Sequence, residues 1–316
     1  MDQPLAPPGT MRQTRNNFKP RGKIRQGKRS MDDHGAVGLP APSRQEGNRR
    51  WWTDNTMSYD WKEKSGLEPY SLEWFDDIDR RFLFGSRLFN GTENPFVELM
   101  NLENVKDRRV LEIGCGMGYH SELLLRAGAK LTSVDISPTS VMATTKRLAL
   151  KGLTGDVREM DAETLQFPDG EFDMVWSWGV IHHSARTGRA LREIHRVLKP
   201  GGDVRLMVYN LEGMQAYISM MRRYMFGFWR GKSLDELLWR DTDGFTARYY
   251  TRDGWADMVA TFFEDVEIAF YGQDSDAVPL PRLLRRPMLK LVSVKGQERR
   301  ARARGSLLFS KARKAA

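Results

Sequence analysis

Three glycines and an acid carry the strongest chemical signal in this chain. The run Leu111-Glu112-Ile113-Gly114-Cys115-Gly116-Met117-Gly118 sets glycines at alternate positions directly after an apolar segment. Such a bend lets the backbone turn tightly and lets a ligand lie against it, and the helix that follows offers unpaired N–H groups to polar or anionic groups. A dinucleotide loop spaces its glycines G-x-G-x-x-G. Here Tyr119 stands where the third would fall, which argues against a pyrophosphate cradle. Asp135 follows Gly118 by seventeen residues and ends the next apolar run. A carboxylate there can accept hydrogen bonds from both ribose hydroxyls, so an adenosine without a pyrophosphate is the implied ligand. The same residues also fit a plainer arrangement, in which the glycines only pack a helix on a sheet and Asp135 is an incidental strand-end acid.

A second chemical signal is the pair His182-His183, which follows the apolar run Trp176 to Ile181. An imidazole titrating near neutrality can take the proton that a hydroxyl or ammonium acceptor must lose. His183 is expected as that base slightly ahead of His182. The alternative is that the pair is structural, one ring stacking near a ligand. His195 is expected to be structural, on the inner face of its helix, and His120 to be a helix residue. The five histidines and the single Cys115 are not arranged as metal ligands, so no metal is expected.

These residues need a scaffold, and the chain spells one out. Arg109 to Ile113 reads as a buried strand, 119–127 as a helix closed by Gly128, and Leu131 to Asp135 as a second strand. Ser137 caps a helix with Pro138 at its first position and Gly152 beyond its end. Asp156 to Met160 and Phe172 to Trp178 are the third and fourth strands. Leu191, Ile194 and Leu198 mark one face of a helix stopped by Pro200-Gly201-Gly202, and Asp203 to Tyr209 is the fifth strand. A helix at 252–263, a strand at 265–271, an irregular basic segment and a last strand near Ser306 to Ser310 follow. Strands alternating with helices predict an α/β, Rossmann-like, mostly parallel sheet with helices on both faces. Ahead of it, Trp74, Phe75, Ile78, Phe82 and Leu83 lie at helical spacing within 70–84.

The order of motifs resembles the class I S-adenosylmethionine-dependent methyltransferases, in the group with type 11 methyltransferase domains. The resemblance rests on Val110 to Gly118, Val134-Asp135-Ile136-Ser137, Met160-Asp161-Ala162-Glu163, Phe167-Pro168-Asp169, Phe172-Asp173-Met174-Val175 and Glu193 to Gly202. It is dense over 105–210, loose in the final strands, and absent from 1–48 and 211–250. It implies a seven-stranded sheet and S-adenosyl-L-methionine as cofactor. It further implies that Gly114, Cys115 and Gly116 pass beside the methionine part, with Gly118 in the same loop, and that Glu112 orients the loop or the cofactor's amino group. Asp135 would take the ribose hydroxyls and Ile136 lie against adenine. Asp161 and the Ala162 N–H would read the adenine edge, and Ser177 and Trp178 would border the sulfonium.

Composition sets the remaining bounds. The chain has 316 residues and a net charge of +9, but residues 1–50 carry +7 and 282–316 carry +11, leaving −9 in 51–281. Basic ends attract RNA, anionic lipid or nothing in particular. No run approaches the ~20 apolar residues of a membrane span, and the first thirty residues hold no apolar leader segment. One cysteine excludes an internal disulfide framework and the dithiol chemistry of arsenic methylation, and suits a reducing cytoplasm. Residues 1–48 are expected to be a disordered basic tail, with Met31 an alternative start. Residues 49–104 are expected to be a helical cap, and 105–316 the methyltransferase domain.

The insertion at 211–250 places Met214, Tyr217, Ile218, Met221, Met225, Phe228 and Trp229 on one helical stripe. In such families an insertion here forms a lid over the acceptor, and Met with aromatic residues would shape an adaptable apolar wall. Tyr70, Trp74, Tyr217, Met221, Tyr249 and Tyr250 are therefore candidate substrate contacts. The stripe is equally readable as the lid's own core, or, beside Arg222, Arg223, Arg230 and Lys232, as a face peripheral to an anionic membrane. The expected activity is methyl transfer to O, N or C of a small hydrophobic acceptor such as a quinone, polyketide, terpenoid or acyl chain. An RNA methyltransferase gripping phosphates with its basic tails is an alternative. The segment Trp176-Ser177-Trp178-Gly179 lacks the Pro-Pro-Tyr type motif of amino-methylating nucleic-acid enzymes, so nucleic acid ranks lower. A non-catalytic cofactor binder is the alternative from another class. The oligomeric state is open.

Overall fold

The computed structural model describes residues 40–58, 65–225, 234, 238, 242–280 and 282–316. Its centre is a sheet ordered β3-β2-β1-β4-β5-β8-β7, with a short β6 added beside β5. The strands are β1 (Arg109–Ile113), β2 (Lys130–Asp135), β3 (Asp156–Glu159), β4 (Phe172–Trp178), β5 (Leu198–Asn210), β6 (Tyr249–Tyr250), β7 (Glu264–Tyr271) and β8 (Leu307–Arg313). The first six pair in parallel, and β8 runs antiparallel between β5 and β7. The chain order reverses direction between β1 and β4, and a ligand crevice belongs outside the carboxyl ends of strands at such a switch.

Strand alternation builds two cores. Val110, Leu131, Met174, Trp176, Met207 and Phe309 face one way, onto Leu124 of α4 (Tyr119–Arg126). Their neighbours Leu111, Val134, Val175, Leu206 and Leu308 face the other way, onto Leu191 and Ile194 of α6 (Thr187–Val197) and Trp255 of the helix Arg252–Ala260. The period of two thus explains why both sheet faces are covered. Beside α4 lies α5 (Pro138–Leu150), whose Ser137 cap accepts from the Ser140 N–H as expected. The expected amphipathic helix is α2 (Leu72–Ser86), N-capped by Ser71, and the one-turn α3 (Phe96–Leu99) follows it.

Three expectations fail. Residues 41–48 are helical, within α1 (Ala41–Asp54), although their polar composition reads as tail. Residues 1–39 lie outside the described residues. Second, α6 ends at Val197 rather than at Pro200. Leu198 already pairs with Phe172, and Pro200-Gly201-Gly202 forms a bulge in β5 before pairing resumes at Asp203. Gly201, at φ +71°, makes that bulge and donates its N–H to Lys314 O. Third, the basic segment after β7 is not irregular: helices Asp274–Ala277, Arg282–Leu291 and Val294–Ala303 fill it.

Candidate functional site

The loop after β1 is held from behind and open in front. Gly114 N–H and Cys115 N–H both donate to Val134 O, and Thr144 Oγ1 donates to Gly116 O. All three glycines lie at positive φ. A Cβ on Gly114 would meet Val180 Cγ2 at 2.1 Å, whereas one on Gly116 would meet nothing within 4 Å. Gly114 is thus required by packing, and Gly116 turns a bare backbone toward open space. Gly118, expected in the binding loop, instead starts α4 against Thr144 and Arg147 and does not line the cavity.

That open space is one cavity of about 610 Å³. Asp135 and Ile136 form one wall, with Asp161 and Ala162 beside them. Asp135 accepts from Gly116 N–H at 3.0 Å and from Ser137 N–H at 2.9 Å, so the loop and the α5 start both aim its carboxylate. Burial pushes its pKa up to about 6. Asp161 Oδ1 accepts from Glu163 N–H and from Gln45 Nε2, each at 2.8 Å. Its pKa is also raised by burial.

Two residues assigned to the cofactor point elsewhere. Glu112 is buried behind the loop, where Ser121 Oγ and Ser133 Oγ donate to Oε2, and burial lifts its pKa to about 7. It can orient the loop through α4 and β2 but does not reach the cavity. Ser177 is fully buried on the opposite sheet face from Trp178, so strand alternation removes it from the cavity. Gly179 and Val180 line the cavity there instead, beside Trp178.

The two histidines part ways. His183 lines the cavity, while His182 lies behind it between the rings of His183 and Tyr209, with centroids 4.1 and 4.0 Å away. His183 Nδ1 sits 2.6 Å from Thr246 O. A carbonyl only accepts, so Nδ1 carries the proton and Nε2 keeps its lone pair. Burial lowers the His183 pKa to about 4 and drives that of His182 well below 6.5. Both are neutral at pH 7. His120 lines the cavity too, accepting at Nδ1 from Trp176 Nε1, whereas His195 lies against Phe263, outside it.

The same cavity is also lined by Phe82 and Phe89 from the α2 region, Trp178, Met207, Tyr249 and Leu307, with Gln273, Asp276 and Arg285 among its polar members. Of the proposed substrate contacts, only Tyr249 is there. Tyr70 and Trp74 pack beneath the loop against Met117 and Ala143. Tyr250 turns toward Trp255 and donates to Thr187 Oγ1. Tyr217 and Met221 lie on the outer face of α7 (Met214–Met225), which turns Ala216 and Ser219 inward. The stripe of the insertion is therefore not the cavity wall. Its Phe228 and Trp229, with Arg230 and Lys232, lie outside the described residues.

Sequence reasoning missed α1, which straps the crevice. Gln45 bonds Asp161 and accepts from Ala185 N–H. Asn48, buried, donates to His183 O and accepts from Thr246 N–H. Ser137 Oγ and Thr139 Oγ1 donate to Trp52 O and Thr53 O, and Trp52 sits edge-on to His183. The one available signal was Pro40 and Pro42 ahead of Trp51-Trp52, a first-turn proline pattern before two anchors.

Residues 111–206 match the family of methyltransferase domains. The ubiquinone biosynthesis O-methyltransferase of Pseudomonas aeruginosa is 27% identical over 163 residues, covering 51% of this chain and 58% of that protein. The 2-methyl-6-phytyl-1,4-hydroquinone methyltransferase of Synechocystis is 39% identical over 94 residues, 29% of each chain. The tRNA U34 carboxymethyltransferase of Cellvibrio japonicus is 36% identical over 120 residues, 37% of each. The match thus spans little more than half the length of the first of these relatives. Among solved structures, a chain from the complex of the Haloferax volcanii Trm112 methyltransferase activator with a methyltransferase superposes with a TM-score of 0.53 at 18% identity, covering 80% of this chain and 100% of that one. That likeness concerns the fold alone.

Proposed function

We propose, for a chain that belongs to the class I S-adenosylmethionine-dependent methyltransferases, that it moves a methyl group onto O, N or C of a small, largely hydrophobic acceptor. One observation carries the reading: the crevice of Gly116, Asp135 and Asp161 and the aromatic lobe of Phe82, Phe89 and Trp178 are a single cavity. A donor seat that opens directly onto an apolar chamber suits transfer between two small molecules.

The residues present fit the donor. The bare Gly116 backbone leaves room for an amino-acid moiety, Asp135 has lone pairs left for vicinal hydroxyls, and Asp161 Oδ2 remains for an exocyclic amine. S-adenosylmethionine, when bound, supplies an electrophilic sulfonium methyl. The chain's task is then to orient and to exclude water. Trp52 and Met57 cover the crevice from the α1 side, and Trp178 and Met207 present apolar surface to the acceptor. His183 Nε2, left with a free lone pair by the Thr246 contact, accepts the proton of an acceptor hydroxyl or ammonium. Arg285, whose Nε donates to Leu280 O, and Gln273 give the acceptor lobe polar anchors, so the favoured acceptor has an apolar body and a polar end. Two relatives named for quinone-type compounds support that direction.

Calorimetry with S-adenosylhomocysteine, then incubation with methyl-labelled S-adenosylmethionine and a panel of prenylated hydroquinones, catechols and acyl compounds, tests this. Binding with label in an apolar product is expected. Label appearing in tRNA alone would replace the reading by the RNA alternative, and binding without any labelled product would leave a cofactor-binding protein.

A further inference from the structure

Two helices beside the acceptor lobe are inside out. In Arg282–Leu291, Arg285 and Leu289 turn inward, while Leu283 and Leu291 are 88% and 78% exposed and Leu284 58%. Val294, at the start of the next helix, is 63% exposed. In α7 the small Ala216 and Ser219 are buried, and Tyr217, Met221 and Met225 are 56–71% exposed. The short helix Asp274–Ala277 packs against both. A helix of a soluble domain ordinarily buries its apolar stripe, and contiguous exposed apolar rows mark a contact surface.

From this arrangement we infer that Arg282–Leu291, with α7 beside it, docks onto an anionic lipid bilayer. Charge selects the occupant. Exposed Arg286, Lys290 and Lys295 flank the leucine arc, and Glu298 is the only acid in 282–316, a segment of net +11. A basic rim around an apolar arc matches anionic headgroups above acyl chains, and lysine and arginine stems reach up to those headgroups while leucines sink below. The same rim repels a second copy of itself. No helix among the described residues is long and apolar enough to cross a membrane, so this contact lies on the surface. Both helices also carry a residue into the cavity, Gln215 from α7 and Arg285 from the other. A lipid-like acceptor leaving the bilayer here would therefore meet the acceptor lobe. The docking itself does not depend on the proposed activity.

Flotation of the full chain with vesicles tests it. Vesicles of phosphatidylcholine containing phosphatidylglycerol should carry the protein, and pure phosphatidylcholine vesicles should not. Leu283→Asp with Leu291→Asp should cut binding by about tenfold or more. Arg286→Glu with Lys290→Glu should do the same. Unchanged affinity for S-adenosylhomocysteine confirms that each variant is folded. Wild-type flotation of Leu283→Asp/Leu291→Asp would assign any lipid binding to the basic tails and overturn the inference. So would failure to bind phosphatidylglycerol vesicles, or a concentration-dependent dimer that these variants dissolve.

Discussion

On the proposed reading ligand recognition turns on Asp135, and its titration exposes it. Its carboxyl sits at about 6 against an ordinary 3.8, because burial disfavours the charge more than the backbone N–H groups of Gly116, Ile136 and Ser137 stabilise it. A raised carboxyl stabilises the empty protein below 3.8 and loses that contribution as the pH climbs through about 6. Hydroxyl donors favour the ionised form, so binding must pull the proton off. Affinity for S-adenosylhomocysteine should be flat above neutrality and fall as the pH drops through about 6. Asp135→Asn should remove that step and weaken binding at pH 7 by about 1–3 kcal/mol, the cost of mispaired hydroxyls. Calorimetry across pH reads both. An unchanged pH profile in the variant would remove Asp135 from the ribose.

The role proposed for His183 makes a different prediction, because it is confined to the proton. Its pKa of about 4 leaves the ring neutral through the physiological range, with Nε2 as acceptor. His183→Ala should lower kcat for a hydroxyl acceptor by roughly 10²–10⁴-fold and leave S-adenosylhomocysteine affinity nearly intact. A parallel loss of affinity would mean that the ring positions the donor instead. His182, fully buried behind it, should affect stability rather than rate when replaced.

At the scale of elements, α1 ties the crevice to His183. Asn48 is 2% exposed and satisfies His183 O and Thr246 N–H, the two backbone groups beside the His183–Thr246 contact. Asn48→Ala leaves two buried backbone groups without their partner. It should cost about 1–3 kcal/mol of stability and lower kcat more than it raises the KM for the donor. Urea unfolding with steady-state kinetics separates these effects. Gly47 shows how tight this packing is, since a Cβ there would stand 2.2 Å from Phe245 Cε1. A glycine inside a helix is normally a loss of roughly 0.5–1 kcal/mol, here offset by the close approach it allows.

The same element marks the limit of what the sequence reveals. β1, β2 and β4 were legible because their alternating apolar residues serve two cores, and Asp135, Ile136, Asp161 and Ala162 because they sit at the carboxyl ends of β2 and β3. Side-chain direction was not legible from a motif: Glu112 belongs to a matching stretch and Ser177 stands two residues beyond one, yet neither lines the cavity. The acceptor lobe was the least legible. Its wall residues Phe89, Met207, Gln273 and Leu307 come from separate regions whose joint position is set by tertiary packing. The stripe at 214–225 misled because Tyr217, Met221 and Met225 face outward, and periodicity reports that a helix has an apolar side without saying what covers it.

At the scale of the whole molecule, charge and contact divide the N-terminal region differently. By charge, residues 1–50 form one basic block of +7. Among the described residues, the bonds that strap the crevice begin with Gln45, inside that block, and end near Thr53. Removing residues 1–39 should therefore leave S-adenosylhomocysteine affinity within about twofold, since truncation is felt through the contacts it removes. It should also weaken any salt-sensitive association with RNA, which basic residues drive through counterion release. Removing residues 1–55 takes away the Gln45 bond to Asp161, the Arg49–Glu159 pair and the Trp52 cover over His183. That truncation should lower affinity by about tenfold or more, the equivalent of one or two lost buried hydrogen bonds, while the sheet still melts cooperatively. Calorimetry on the two truncations decides the matter. Equal affinities would mean that α1 only rests on the crevice, and a loss already complete at residue 39 would move the strap into the preceding segment.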